Sequence, residues 1–232
     1  MMKPYYNHAG VTIYHGDCRD VLPTLAPVDL IVTDPPYGVK WRSNYRQERF
    51  ESIQGDDSVE AALEGVRLAL GTLRDGRHVY AFGKFDFSGL HVSSPVELIW
   101  DKGAMTTGNL SIPWGKQHEP IQFFVYQTST AHRDAGKGAL SARLRRGSVL
   151  QVPRVNGNGK DEHPTEKPVL LLRMLIEASS CIGETVLDPF SGVGTTLQAA
   201  KEEARRAIGI EIEEKYCEIA AKRLSQDVLC FE

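Results

Sequence analysis

Two short segments hold residues whose types and order could do chemistry. The first is Asp34-Pro35-Pro36-Tyr37, directly after the apolar run Leu30-Ile31-Val32-Thr33. Tandem prolines fix the backbone and remove two N–H donors, so neighbouring carbonyls are left to face a ligand. The Asp34 carboxylate and the Pro35 carbonyl then offer two acceptors, which suits the activation of an aromatic amine. The lone pair of such an amine is delocalised into its ring. Binding both hydrogens favours a pyramidal nitrogen and frees the pair for in-line attack, a gain that comes from positioning. Tyr37 adds a ring on which an extruded base could stack, because a base inside a duplex cannot reach such a pocket. Alone, the four residues could also form a Pro-Pro turn with an incidental acid and ring.

The second segment is Asp188-Pro189-Phe190-Ser191-Gly192-Val193-Gly194-Thr195-Thr196. It follows an apolar run and precedes a helical pattern, where glycines let a ligand approach the backbone. Glu211 closes the next apolar run, 23 residues after Asp188, and is placed to accept hydrogen bonds from ribose hydroxyls. Leu197 stands where GxGxxG has its third glycine, and no Walker lysine follows, which argues against NAD and ATP. A plain strand-to-helix turn leaves the acids at both strand ends unexplained.

Both segments need strands to hold them. Short β-branched runs at Val11–Tyr14, Leu30–Thr33, Val79–Phe82, Val96–Trp100, Ile121–Tyr126, Thr185–Leu187 and Ala207–Ile210 alternate with helical patterns. The pattern predicts an α/β, Rossmann-like fold: a seven-stranded, mostly parallel sheet with helices on both faces. One helix should present Val59, Leu63, Val66 and Leu70 after an Asp57/Glu60 capping box. Another should begin at Pro168 and present Val169, Leu172 and Ile176, and a third should follow Gly194. The last should turn Ile212, Tyr216, Ile219, Ala220 and Leu224 to the core. The length of 232 residues suits one domain covering 1–232.

Cys18, Cys181, Cys217 and Cys230 are scattered without metal-ligand spacing, so no metal site and no disulfide scaffold is expected. Cys18 reads as a small buried residue. No apolar signal core opens the chain and no run reaches membrane-spanning length, which predicts a cytoplasmic protein without a membrane partner. A net charge of −3 means that any nucleic-acid partner must be met by locally concentrated positive charge. Residues 127–160 supply it, with Arg133, Lys137, Arg143, Arg145, Arg146, Arg154 and Lys160 against Asp134 alone. That stretch and residues 38–56 lack periodicity and read as loops, the first being a basic insertion and the second a mobile segment. A solvated insertion without a partner is the alternative.

In this order the motifs resemble those of the β-class amino DNA methyltransferases, the N6-adenine and N4-cytosine enzymes. They run His15-Gly16-Asp17, Asp34–Tyr37, Trp100-Asp101-Lys102, His118-Glu119-Pro120, His163-Pro164-Thr165-Glu166-Lys167-Pro168, Asp188–Thr196 and Glu211. The resemblance spans nearly the whole chain. It implies S-adenosyl-L-methionine as cofactor, the matching methyltransferase fold and double-stranded DNA as partner, in the manner of the modification half of a restriction–modification system.

By the same resemblance Asp17 meets the cofactor's adenine amine, Asp188 and Lys167 its methionine end, and Glu211 its ribose. Pro189, Phe190, Ser191, Gly192, Gly194 and Thr195 complete the cofactor loop. Read without the resemblance, Thr165–Pro168 is simply a helix start with Thr165 as N-cap, and both readings can hold at once. The basic stretch 127–160, with Arg133, Lys137, Arg143, Arg145 and Arg146, would read DNA, helped by Lys40, Arg42 and Arg46 in the earlier loop.

Asp as first residue of the tetrapeptide resembles the adenine enzymes, whereas the cytosine-N4 enzymes more often show Ser. A cytosine carbon-5 enzyme needs a nucleophilic Cys, usually after Pro, and no cysteine here follows a proline. Protein or RNA amine methyltransferases often carry Asn-Pro-Pro-Tyr after the cofactor loop, the reverse of the order here. A non-catalytic DNA-binding module would have no need of an intact set of Asp34, Tyr37, Gly192, Gly194 and Glu211. The recognition sequence, any companion endonuclease and the oligomeric state, a homodimer included, are left open by the sequence.

Overall fold

The computed structural model describes residues 2–36, 59–87, 89–90, 92–105, 111, 113–126, 146–154 and 166–226. Nine strands join in one sheet: β1 (Tyr6–His8), β2 (Val11–His15), β3 (Val28–Thr33), β4 (Leu73–Phe82), β5 (Val92–Asp101), β6 (His118–Tyr126), β7 (Val149–Gln151), β8 (Thr185–Asp188) and β9 (Arg206–Glu211). Their spatial order is β1-β2-β9-β8-β3-β4-β6-β5-β7. The run β2-β9-β8-β3-β4 is parallel, β6 is antiparallel to both β4 and β5, and β7 is parallel to β5. All seven expected strands form. Two short edge strands, β1 and β7, bring the strands among the described residues to nine.

Strand β3 shows why the centre of the sheet forms here. Each of its six residues is buried, as a strand covered on both faces requires. Successive side chains alternate between the two faces. Leu30 and Val32 enter one core with Leu172, Ile176, Leu197, Ala220 and Leu224. Ile31 enters the other with Val21, Ala69, Leu70 and Leu187. Helices α1 (Cys18–Val21) and α2 (Val59–Thr72) thus cover one face. On the other lie α3 (Val169–Ser179), α4 (Thr195–Glu202) and α5 (Glu214–Ser225).

Three local expectations shift. Helix α3 begins at Val169, with Pro168 at its N-cap in extended geometry (φ −60°, ψ 131°). Ile212 lies ahead of α5 and is 37% exposed. Because the helix starts later than expected, its inner face is set by Cys217, Ala220 and Leu224. Within the basic stretch, Val149–Gln151 is a strand, and Leu150 and Val152 are buried beside Trp100, whose Nε1 donates to the Val152 carbonyl at 2.7 Å. Residues 38–56, Asp57, Thr165 and most of 127–160 lie outside the described residues.

Candidate active site

Parallel strands end together, and here the ends of β2, β9, β8, β3 and β4 share one sheet edge. β6 starts at that same edge because it runs against β4, and β5 finishes there because it runs against β6. A cleft of about 930 Å³ follows the edge. Strand β3 lies centrally, so Asp34, Pro35 and Pro36 separate two halves of the cleft. The first half holds Asp17, Asp188, Glu211 and the loop Pro189–Thr196. The second holds Lys84, Trp100, Lys102, Lys116, His118 and Glu119.

The glycine loop owes its shape to two left-handed residues, Gly192 (φ +50°) and Gly194 (φ +79°). Gly194 is also the N-cap of α4, and a Cβ there would stand 2.8 Å from the Cβ of Ala220. Ser191 fastens the loop to β9 through its N–H and hydroxyl, both donated to the Ile210 carbonyl. Glu211 accepts the Gly192 N–H at 2.8 Å and the Glu213 N–H at 2.8 Å, one on each oxygen. Burial raises its carboxyl above the usual range against those donors. Asp188 is fully buried, and burial pushes it up to about 7 despite hydrogen bonds from the Thr196 hydroxyl and the Phe190 N–H; the charge of Asp34 adds to the rise. Two acids thus sit in the first half with raised proton affinity and unspent acceptor capacity.

Asp17 is placed differently. It caps α1, and both carboxylate oxygens are engaged by Arg19, with Nη2 to Oδ2 at 2.5 Å. The Arg19 hydrogen bonds hold its carboxyl below the usual range. The Cys18 thiol next to it is buried, which pushes it up to about 12 and leaves it no thiolate character near neutral pH.

Between the halves runs a chain of alternating charges. The Lys167 ammonium lies 2.8 Å from Asp34 Oδ2 and 2.9 Å from Glu119 Oε1. Glu119 Oε2 accepts from Lys102 Nζ at 2.9 Å. Lys167 Nζ also stands 5.0 Å from the centre of the Phe82 ring, and Lys102 Nζ 4.6 Å from that of Trp100. Burial alone would lower the affinity of Lys167 for its proton, but the Asp34 and Glu119 carboxylates outweigh it and raise the value. Burial works against Glu119 too, and Lys167 and Lys102 overcome it, holding its carboxyl below the usual range.

The cleft therefore gathers every described residue expected in the catalytic and cofactor sets except Gly194, which sits behind the loop as a cap. Lys167 meets Asp34 and Glu119 rather than standing free in the first half. Tyr37, Lys40, Arg42, Arg46, Arg133, Lys137, Arg143 and Arg145 lie outside the described residues. Arg146 does not line the cleft; it pairs with Glu177 on α3. Sequence reasoning gave no role to Glu119, Lys102 or Lys116. The signal for the first two was present in His118-Glu119-Pro120 and Trp100-Asp101-Lys102, each at the cleft end of a strand.

The sheet, with its β8 loop and its Asp-Pro-Pro corner after β3, defines a methyltransferase fold. Among solved structures it superposes on M1.HpyAVI in complex with SAM (TM-score 0.69, 23% identity, covering 93% of this chain and 100% of the other). It superposes equally on the cytosine-N4-specific PvuII DNA methyltransferase (TM-score 0.70, 18% identity, 98% and 90%). The family model for DNA methylases of the N6/N4 type matches residues 92–222. The Type II methyltransferase M2.DpnII of Streptococcus pneumoniae is 30% identical over 258 aligned positions, covering 98% of this chain and 94% of the relative. The chain belongs to the N6/N4 family of DNA methylases.

Proposed function

We propose that the protein transfers the methyl group of S-adenosylmethionine to the exocyclic N6 amine of an adenine flipped out of double-stranded DNA. The observation that carries this reading is the place of Asp34, between an acid-lined half-cleft and a half-cleft walled by Trp100 and lysines. The first half suits the cofactor. Raised Asp188 and Glu211 can accept from an ammonium and from ribose hydroxyls, and Gly192 leaves room for close approach. When bound, the cofactor supplies a methyl group on a positively charged sulfur. The chain does the rest: Asp34 and the Pro35 carbonyl accept the two amine hydrogens, hold the nitrogen pyramidal and aim its lone pair at the first half.

Asp rather than Ser at position 34 supports adenine over cytosine. Residues 127–160 and 38–56 are assigned to DNA by their positive charge, within one catalytic unit spanning 1–232 and working in the cytoplasm. Incubation with methyl-labelled cofactor and unmethylated DNA, followed by digestion to nucleosides, tests the reading. Label in N6-methyladenine is expected. Label in N4-methylcytosine would replace the base, and label in protein or RNA alone would overturn the substrate.

A further inference from the structure

We infer that Glu119 is a positioning residue for methyl transfer, acting on Asp34 through the ammonium of Lys167. The inference rests on the reading of Asp34 as the amine acceptor. Three separate elements meet at this ammonium. Asp34 comes from the end of β3, Glu119 from the start of β6, and Lys167 from the segment leading into α3. Lys167 is buried, so its charge is felt at close range with little screening by water.

A single buried lysine facing a single carboxylate would pair with it fully. Asp34 would then spend its acceptor strength on Lys167 and have little left for a base amine. Glu119 prevents this by claiming the same ammonium at nearly the same distance, 2.9 Å against 2.8 Å. Lys102, fixed over Trp100, in turn balances the second carboxylate, so the four side chains carry no net charge. With two near-equal partners, a small shift of Lys167 toward Glu119 exposes more of the negative charge of Asp34. The reacting nitrogen gains positive charge during transfer, and that is when the exposed charge is most useful. The arrangement makes Asp34 a stronger acceptor in the transition state than in the resting cleft.

Three variants of the full chain test this: Glu119→Gln, Lys167→Met and the two combined, each measured for cofactor affinity, DNA affinity and single-turnover transfer. In Glu119→Gln the transfer rate should fall about tenfold or more while both affinities stay within about twofold, because the lost interaction is made mainly in the transition state. In the Lys167→Met background the same Glu119 change should cost less than about twofold, since Glu119 acts only through the ammonium. Glu119→Asp, which keeps the charge, should recover part of the rate.

Transfer by Glu119→Gln within about twofold of wild type would overturn the inference, as would losses that multiply in the combined variant. If Glu119→Gln proves too unstable to assay, Glu119→Asp decides, because it keeps the charge but shortens the reach to Lys167: slower transfer with both affinities within about twofold supports the inference, and transfer at the wild-type rate overturns it. Asp34→Ala measured alongside separates the two claims. If it keeps transferring methyl groups, the reading of Asp34 fails. If it is dead while Glu119→Gln is unaffected, only the role of Glu119 fails.

Discussion

Asp188 holds its proton far more tightly than a free carboxyl, and the displacement has a sign that can be tested. Its carboxyl is pushed up to about 7 by burial, whereas in an unfolded chain it would titrate near the usual value of about 4. A group raised in this way contributes stability that is complete below the unfolded value and lost as pH climbs through the folded one. The protein without cofactor should therefore melt at lower temperature at about pH 8 than at about pH 6. A cationic cofactor prefers the ionised acid, so its affinity should rise across the same window. Asp188→Asn should flatten most of both trends, measured by thermal melting and calorimetry; an affinity that stays pH-dependent in that variant would assign the trend elsewhere. Cys18 stands at the opposite extreme. With its thiol at about 12, Cys18→Ala should leave transfer within about twofold of wild type, and a large loss would give the thiol a role that its burial does not support.

Among the elements, the glycine loop and the late edge strand make separate predictions. Gly194→Ala places a methyl 2.8 Å from Ala220 at a φ of +79°, so it combines strain with overpacking. The cost should be about 1–3 kcal/mol, read by denaturant unfolding, with weakened cofactor binding as α4 shifts. Leu150→Ala in β7, at a 5% exposed position, should cost about 2–5 kcal/mol, which a solvated loop residue would not.

Strand β3 is legible in the sequence because its six buried residues form an unbroken apolar run apart from Asp29 and Thr33. Strand β7 is not, because three residues with a single buried Leu150 sit inside a run of arginines. β1 hides for a similar reason, its Tyr6-Asn7-His8 being short and largely polar and paired with β2 at the sheet edge. The site divides in the same way. Asp34–Pro36 and Asp188–Thr196 are contiguous and could be read directly. The meeting of Glu119 with Lys167 depends on β6 running against β4, which no local pattern encodes.

For the whole molecule the governing quantity is the distribution of charge. The chain carries a net −3, so duplex DNA should be held only where its basic residues are concentrated. Binding should then weaken steeply with added salt. Replacing Arg133, Lys137, Arg143 and Arg145 together by Ala should flatten the salt dependence by about 0.9 in log–log slope for each phosphate that is no longer neutralised. Transfer at saturating DNA should stay near wild type, and a fall in that rate instead would place the stretch in the chemistry.

Both halves of the cleft meet at one carboxylate, and Asp34→Ala probes that junction. Cofactor affinity and single-turnover transfer should be measured on the same preparation. Affinity should stay within about twofold while transfer falls by about two to three orders of magnitude. Transfer at a rate close to wild type would remove Asp34 from the chemistry and leave the two halves without a common reaction centre.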